Sequence, residues 1–529
     1  MQTACAGCHT TNGTGGFALD RVTSRLLASL IAERVTARDM PPWPPGREGA
    51  RIVGERALDD DAVATIAAWA AAGAPEGDAS AHVDRAPKIA TPAPTRPADL
   101  RLGLAGADVY REPSSAFVTD EVRCFVLDLP VASSGVWITA ARWVAGNPIG
   151  IHQLGGVVVD AEGAALARAR SGRDGRGGFE CGGGLGELTR GPTLGANGTG
   201  AAGSEATVMP DGTAIRIPRG GAVLMSVHYA VKHLAGASDR SGVELWLAGE
   251  SEGSRVRPLV STSVSAPVEV PCPTGVSNDP NDACSREGAF ARLALADAAK
   301  MKAREDALLA ACGTSVDALV GSAMTAAASG ATKSNGDHFH ASTSCARVAP
   351  WGGTIRVVHA KMQTRGATVR VEAERGDGSW ATVLHIPRWR WAWESAYVLE
   401  EGVPVEAGRR LRVSCTFDNG DAAQWSALTG EPGHDAPARP PRLAPGYLVS
   451  AAHRAAEACD AWVSVERTVT PGAPGTSRGA SWPSICHEAE AIHVDACGAG
   501  KIDLTSRGCG PDDVDAAVAI LAAPAPRCP

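Results

Sequence analysis

Two long stretches of this chain alternate apolar and polar residues in short runs separated by glycine-rich turns. In the first, residues 101–258, the runs include Cys124–Leu127, Val136–Thr139, Gly156–Val159, Ala222–Tyr229 and Val243–Leu247. In the second, residues 351–469, they include Thr354–Val358, Ala367–Ala373, Trp380–Ile386, Arg410–Phe417 and Ala461–Glu466. Alternation puts every second side chain on the same face of an extended strand. A sheet with one apolar face hides it against a second sheet, so each stretch predicts a β-sandwich. The expected fold class is mainly β: two tandem jelly-roll-type sandwiches, at 101–258 and 259–469.

At 529 residues the chain is too long for one core. Aromatic residues are few, whereas 61 Gly and 35 Pro suit loop-rich β structure. The net charge is −8 and no basic run stands out, which argues against a nucleic-acid partner. No apolar run reaches the roughly 18–20 residues that cross a bilayer, so no transmembrane segment is expected.

The most specific short signal is Cys5-Ala6-Gly7-Cys8-His9. C-x-x-C-H is the attachment signature of c-type haem: two thiols add to the haem vinyl groups, and the histidine is placed to bind iron. The alternatives are a chance pair or a zinc half-site. Residues 1–78 read as a small all-α unit around it. Val22, Leu26, Leu27, Leu30, Ile31 and Val35 predict a helix over 21–36. Asp59, Asp60 and Asp61 precede a helix over Ala62–Ala72, placing acidic residues at its positive end. With Met40-Pro41-Pro42-Trp43 between the helices, this order resembles class I cytochromes c. In that family a Met before Pro supplies the second axial ligand, so the resemblance implies Met40 as sixth ligand of haem c. A thioether opposite histidine suits electron transfer rather than oxygen binding.

The haem motif begins at residue 5, with no signal peptide and almost no helix before it. The expectation is a processed or truncated chain whose export signal lay upstream. Of fourteen cysteines, twelve remain after the haem pair, an even number that suits disulfides in an oxidising compartment. A periplasmic, extracellular or cell-surface location is expected.

Residues 79–100 form a Pro-rich linker. Between the β stretches, about 271–347, Arg286 to Ala311 is Ala/Leu-rich and reads as one helix or two, bracketed by Cys272, Cys284, Cys312 and Cys345. This predicts a disulfide-stapled helical insertion in the second β domain. Residues 470–529 read as a linker and a Cys-rich helical end held by Cys486, Cys497, Cys509 and Cys528.

Two β-sandwiches with His228-Tyr229 late in the first resemble the copper type II, ascorbate-dependent monooxygenases, such as peptidylglycine α-hydroxylating and dopamine β-monooxygenase. Bacterial relatives often carry an N-terminal cytochrome c ending in M-P-P-W, as Met40–Trp43 does here. The resemblance covers about residues 1–469. It runs through Gly146-Asn147-Pro148…Ile151-His152 and Asp239–Val243 in the first sandwich. In the second it runs through Val357-Val358-His359, Trp391-Ala392-Trp393 and Cys415–Asn419.

That family holds two coppers, one by a His-His pair plus the His of His-Tyr, the other by His-x-His plus a Met before a cysteine. Here those positions read His152-Gln153, His228, His359-Ala360-Lys361 and Ala458-Cys459. The residual copper ligands implied are His152, His228 and His359. A first-row metal needs at least three protein ligands for useful affinity, and a charged Lys offers no lone pair. The resemblance also implies a Cys415–Cys459 disulfide. Trp389, Trp391 and Trp393 alternate and predict one strand face packed in the core. His338-Phe339-His340 is a second His-x-His, read either as exposed loop histidines or as a metal site, since on an extended segment both rings share a face. His487 and His493 are spaced by six, not the four of a zinc-protease motif, and read as a surface helix.

The function expected is redox or electron transfer through the haem, with degenerate copper sites and a redox partner protein. Two alternatives stand beside it. One is an active copper monooxygenase hydroxylating a C–H bond with O2, fed by the cytochrome unit. The other is a non-enzymatic extracellular binding or assembly module.

Overall fold

The computed structural model describes Cys5, His9, Pro94 and Tyr110 together with residues 17–77, 96–105, 121–130, 136–146, 150–181, 192–198, 206–218, 220–229, 238–248, 256–292, 298–329, 338–349, 352–420, 446–450 and 457–467. The expected C-terminal segment with Cys486, Cys497, Cys509 and Cys528 lies outside the described residues, as do Cys8, His233, His487 and His493.

Three helices open the chain: α1 (Arg21–Leu26), α2 (Ala28–Thr36) and α3 (Asp60–Ala71). The helix expected over 21–36 is broken at Leu27, whose backbone leaves helical geometry at φ −98° and ψ 11°. Asp59 caps α3 by accepting a hydrogen bond from the Ala62 N–H at 2.7 Å, and Asp60 and Asp61 fill its first turn.

The first sandwich contains β1 (Leu100–Gly103), β2 (Glu121–Asp128), β3 (Val136–Val144), β4 (Ile151–Val159) and β5 (Phe179–Glu180). It continues with β6 (Thr193–Gly198), β7 (Thr207–Val208), β8 (Thr213–Ile217), β9 (Ala222–Tyr229) and β10 (Gly242–Leu247). One of its sheets runs β5-β2-β9-β4-β6, and the other contains β1-β10-β3-β8 with β7 on β3. Phe125, Met225, Val227 and Tyr229 from one sheet meet Ile138, Trp143, Ile215 and Leu245 from the other. Each branched or aromatic side chain so buried stabilises the fold by about 1.5–3 kcal/mol. Helix α4 (Ala161–Arg170) covers the outer face of the five-stranded sheet with Ala164 and Ala167.

The second sandwich is built from β11 (Arg257–Ser265), β12 (Glu269–Val270), β13 (His340–Val348), β14 (Gly353–Lys361) and β15 (Gly366–Glu374). The remaining strands are β16 (Trp380–Ile386), β17 (Ala396–Val405), β18 (Arg410–Asp418), β19 (Leu448–Val449) and β20 (Asp460–Arg467). One sheet runs β13-β18-β15-β16 and faces β11-β20-β14-β17. Strands β8 and β11 pair in parallel through Arg257↔Thr213 and Pro258↔Ala214. That pairing joins the inner sheets of both sandwiches into one nine-stranded sheet.

The insertion consists of α5 (Arg286–Arg292), α6 (Ala298–Ala311) and α7 (Val316–Ala328). Cys272–Cys284 and Cys312–Cys345 pair around it. Cys415–Cys459 pair as the resemblance implied, and Cys124–Cys181 bridge the first sandwich. Four disulfides suit an oxidising compartment outside the cytoplasm. Among the described residues no single helix is long and apolar enough to cross a membrane.

One expectation about the tryptophans is corrected. Trp391–Trp393 form a short 3-10 turn rather than a strand, so the three indoles do not share one face. Trp389 enters the second core, where its backbone N–H bonds the Ala367 carbonyl and its ring N–H bonds that of Gln363.

Candidate functional site

The haem motif is described at two of its residues. The His9 N–H donates to the Cys5 carbonyl at 2.9 Å. The His9 ring packs on Phe17 with centroids 4.6 Å apart, and its Nδ1 lies 3.3 Å from the Phe17 carbonyl. Burial pulls the His9 pKa down, partly offset by that carbonyl, so the ring favours the neutral form that ligates metal. Met40 is 37% exposed.

The surface of this unit is unusual. Eight large hydrophobic side chains are exposed among the described residues, and five of them are Phe17, Val22, Leu26, Leu30 and Met40. Exposed apolar side chains and the soft Met40 thioether on one unit fit a haem, whose porphyrin is a flat apolar surface.

The helical unit is fastened to the second sandwich as well as joined through the linker. The Gly46 and Ala50 N–H groups donate to the His385 and Val383 carbonyls, and Val53 N–H donates to that of Val398. Ile52 is buried in the second core and bridges to Leu399. Arg388 donates to the Ala37 carbonyl at 2.9 Å, and Arg390 pairs with Asp39, next to Met40, at 3.2 Å.

The copper-ligand positions converge on a cavity of about 190 Å³ between the sandwiches. Its walls include Gln153 of β4, His228 of β9, His359 and Lys361 of β14, Trp462 of β20 and Glu305 of α6. Gly156 lets β4 approach β9 there: a Cβ on it would lie 2.4 Å from the Leu224 carbonyl oxygen. His152 sits at a bulge of the same strand, between the pairs Ile151↔Tyr229 and Gln153↔His228. Its side chain lies outside the described residues. The 3-10 turn bridges the cavity, with Trp391 edge-on to His228 at 4.8 Å and Glu394 just beyond it.

Glu394 dominates the polar chemistry of this cavity. It is 1% exposed, and its Oε1 lies 2.8 Å from His359 Nε2. Burial pushes its carboxyl up, but the Lys361 charge and the His359 hydrogen bond outweigh that, and the net shift is downward. Gln153 from the first sandwich helps hold the carboxylate down, yet Gln153 Nε2 and Glu394 Oε2 are buried and out of good hydrogen-bond geometry. His359 also stacks on Trp462 at 5.3 Å. One ring nitrogen of His359, Nε2, is therefore engaged by a carboxylate. Deeper in the wall, burial raises the carboxyls of Glu305 and Glu457 to about 8.

The structure thus brings His228 and His359 to one cavity and sets His152 beside His228 in register. Glu394, Glu305 and Glu457 were not anticipated: their sequence neighbours give no ligand pattern. A separate group, His338, His340 and Asp418, places its donor atoms within 4.8 Å of one another.

No protein-family model and no curated protein matches the chain. Among solved structures, a variant of oxalate decarboxylase from Bacillus subtilis shares 10% identity over 60% of this chain and 76% of that one, with a TM-score of 0.12. Procruciferin, an 11S globulin from Brassica napus, shares 10% identity over 59% of this chain and 87% of that one, with a TM-score of 0.09. Vicilin from hazelnut, Corylus avellana, shares 12% identity over 60% and 86%, with a TM-score of 0.08. Likeness this slight leaves function to be argued from the residues themselves.

Proposed function

We propose that this chain is an exported electron-transfer protein, a c-type cytochrome unit docked on a copper-monooxygenase-like pair of sandwiches whose copper sites are degenerate. The observation that carries the reading is that the C-x-x-C-H motif and the apolar side chains Phe17, Val22, Leu26, Leu30 and Met40 fall on one small helical unit. Cys5 and Cys8 would hold the haem and His9 its iron, with Met40 the candidate second ligand. When bound, the haem supplies a one-electron couple. The chain's own residues cover the ring system and exclude water, while His9 keeps a nitrogen unprotonated. Docking through Ile52, Arg388 and Arg390 holds that unit against the second sandwich, where a redox partner would meet a rigid surface. Periplasm or cell surface is the compartment this chemistry needs.

A second reading keeps copper, and the observation in its favour is that His228 and His359 line one cavity. Against it stand Lys361 in place of a histidine, and Glu394 on the His359 nitrogen. The test is co-expression of the full chain with a haem-c maturation system, followed by haem-linked peroxidase staining after denaturing electrophoresis. Covalent haem in the native chain and none in Cys5→Ala/Cys8→Ala supports the proposal. An unstained native chain overturns it.

A further inference from the structure

The geometry assigns a divalent transition-metal site to His338, His340 and Asp418, and we propose Zn²⁺ as its occupant. His338 and His340 are two residues apart on the segment entering β13, so both rings project from the same side. Phe339 between them points the other way and is 1% exposed in the second core, which anchors the backbone under both rings. The Phe339 carbonyl accepts from Asn419 N–H at 2.8 Å, and Phe339 N–H donates to Asp418 Oδ1 at 2.8 Å. The segment is therefore clamped on both sides.

Asp418 lies directly across from His340 in the β13–β18 pairing. Its Oδ1 is fully employed, accepting from the N–H groups of Phe339 and Gly420. Its Oδ2 faces both imidazoles, 2.5 Å from His338 Nδ1 and 3.4 Å from His340 Nε2. Backbone donors thus orient the carboxylate as an outer ligand shell usually does. Around a tetrahedral zinc with ligands at about 2.0–2.2 Å, donor atoms are about 3.4 Å apart. The three donors already lie within 4.8 Å of one another. Two imidazoles and one carboxylate form a donor set that Zn²⁺ uses, as Fe²⁺ also does. The histidine side chains are 42% and 34% exposed, which leaves a fourth position open to water. The bound ion would tie the chain entering β13 to the chain leaving β18, a site separate from the cavity that holds His228 and His359.

The test is calorimetric titration of the metal-stripped full chain with Zn²⁺, beside thermal unfolding with and without zinc. The expected result is one tight site, weakened at least tenfold in Asp418→Asn and in His338→Ala. A raised unfolding midpoint with zinc should appear in the native chain and vanish in Asp418→Asn. Asparagine keeps an oxygen for the Phe339 and Gly420 N–H groups, and His338 is exposed, so neither variant threatens the fold. A His228→Ala/His359→Ala variant should bind zinc like the native chain. Zinc binding no tighter than that of isolated surface histidines would overturn the assignment. So would a site lost in the His228→Ala/His359→Ala variant and kept in Asp418→Asn.

Discussion

Glu394 and His359 form a buried hydrogen-bonded pair in the cavity, and that pair governs what the cavity accepts. His359→Ala leaves a buried carboxylate short of its donor. It should cost about 1–3 kcal/mol or more of stability, measured by denaturant unfolding. On the proposed reading, the same pair opposes copper binding. Gln153→His with Lys361→His restores imidazoles at the positions where the resemblance places them, and copper uptake in titration followed by EPR should rise at least tenfold. No gain would contradict the assignment of Gln153 and Lys361 to ligand positions. Glu305 gives a pH-dependent prediction. Burial raises its carboxyl to about 8, above the unfolded value, so the folded state favours its neutral form. The resulting stabilisation is complete below the unfolded pKa and is lost as pH rises through about 8. Glu305→Gln keeps an oxygen for the Val268 N–H and should flatten the fall in unfolding temperature between pH 5 and 9 (about the span of the two pKa values). At this scale the candidate positions His9, Met40, His228 and His359 came from recognisable local patterns. Glu394 and Asp418 were not, because the residues that give them meaning lie on other strands.

The strands were the most legible elements. The run Ala222–Tyr229 is β9 and Trp380–Ile386 is β16, with the bounds read from alternation alone. Alternation is a local consequence of the pleat, so sequence reports it directly. The same rule misled at Trp389–Trp393. There the strand has already ended at Ile386, and Trp391 crosses to the first sandwich to meet His228. The docking segment around Trp43–Glu55 gave no sequence signal either, because its partners lie about 340 residues away in β16 and β17. Ile52→Ala removes the apolar side chain that this segment buries in the second core. It should cost about 2–5 kcal/mol of local stability and speed proteolytic cleavage in the 40–56 region. Removing the Cys312–Cys345 bridge with Cys312→Ala/Cys345→Ala should lower unfolding stability by about 2–5 kcal/mol, read by calorimetry.

At the scale of the whole molecule, the nine-stranded sheet binds both sandwiches into one body, and the cavity lies between them. The two β domains were anticipated as separate units. Their fusion depends on two residue pairs between β8 and β11, too short a contact for pattern reading to find. The helical unit with Cys5 and His9 is held against this body through Ile52 and Arg390; on the proposed reading, it is the one redox unit of the molecule. That arrangement needs no copper, and the engaged nitrogen of His359 argues against it. The most direct test is metal analysis of the purified full chain together with an EPR spectrum of its oxidised form, in which any zinc is silent. Stoichiometric haem iron with no type II copper signal is the predicted result. Two type II coppers per chain, or a chain without haem iron, would contradict it.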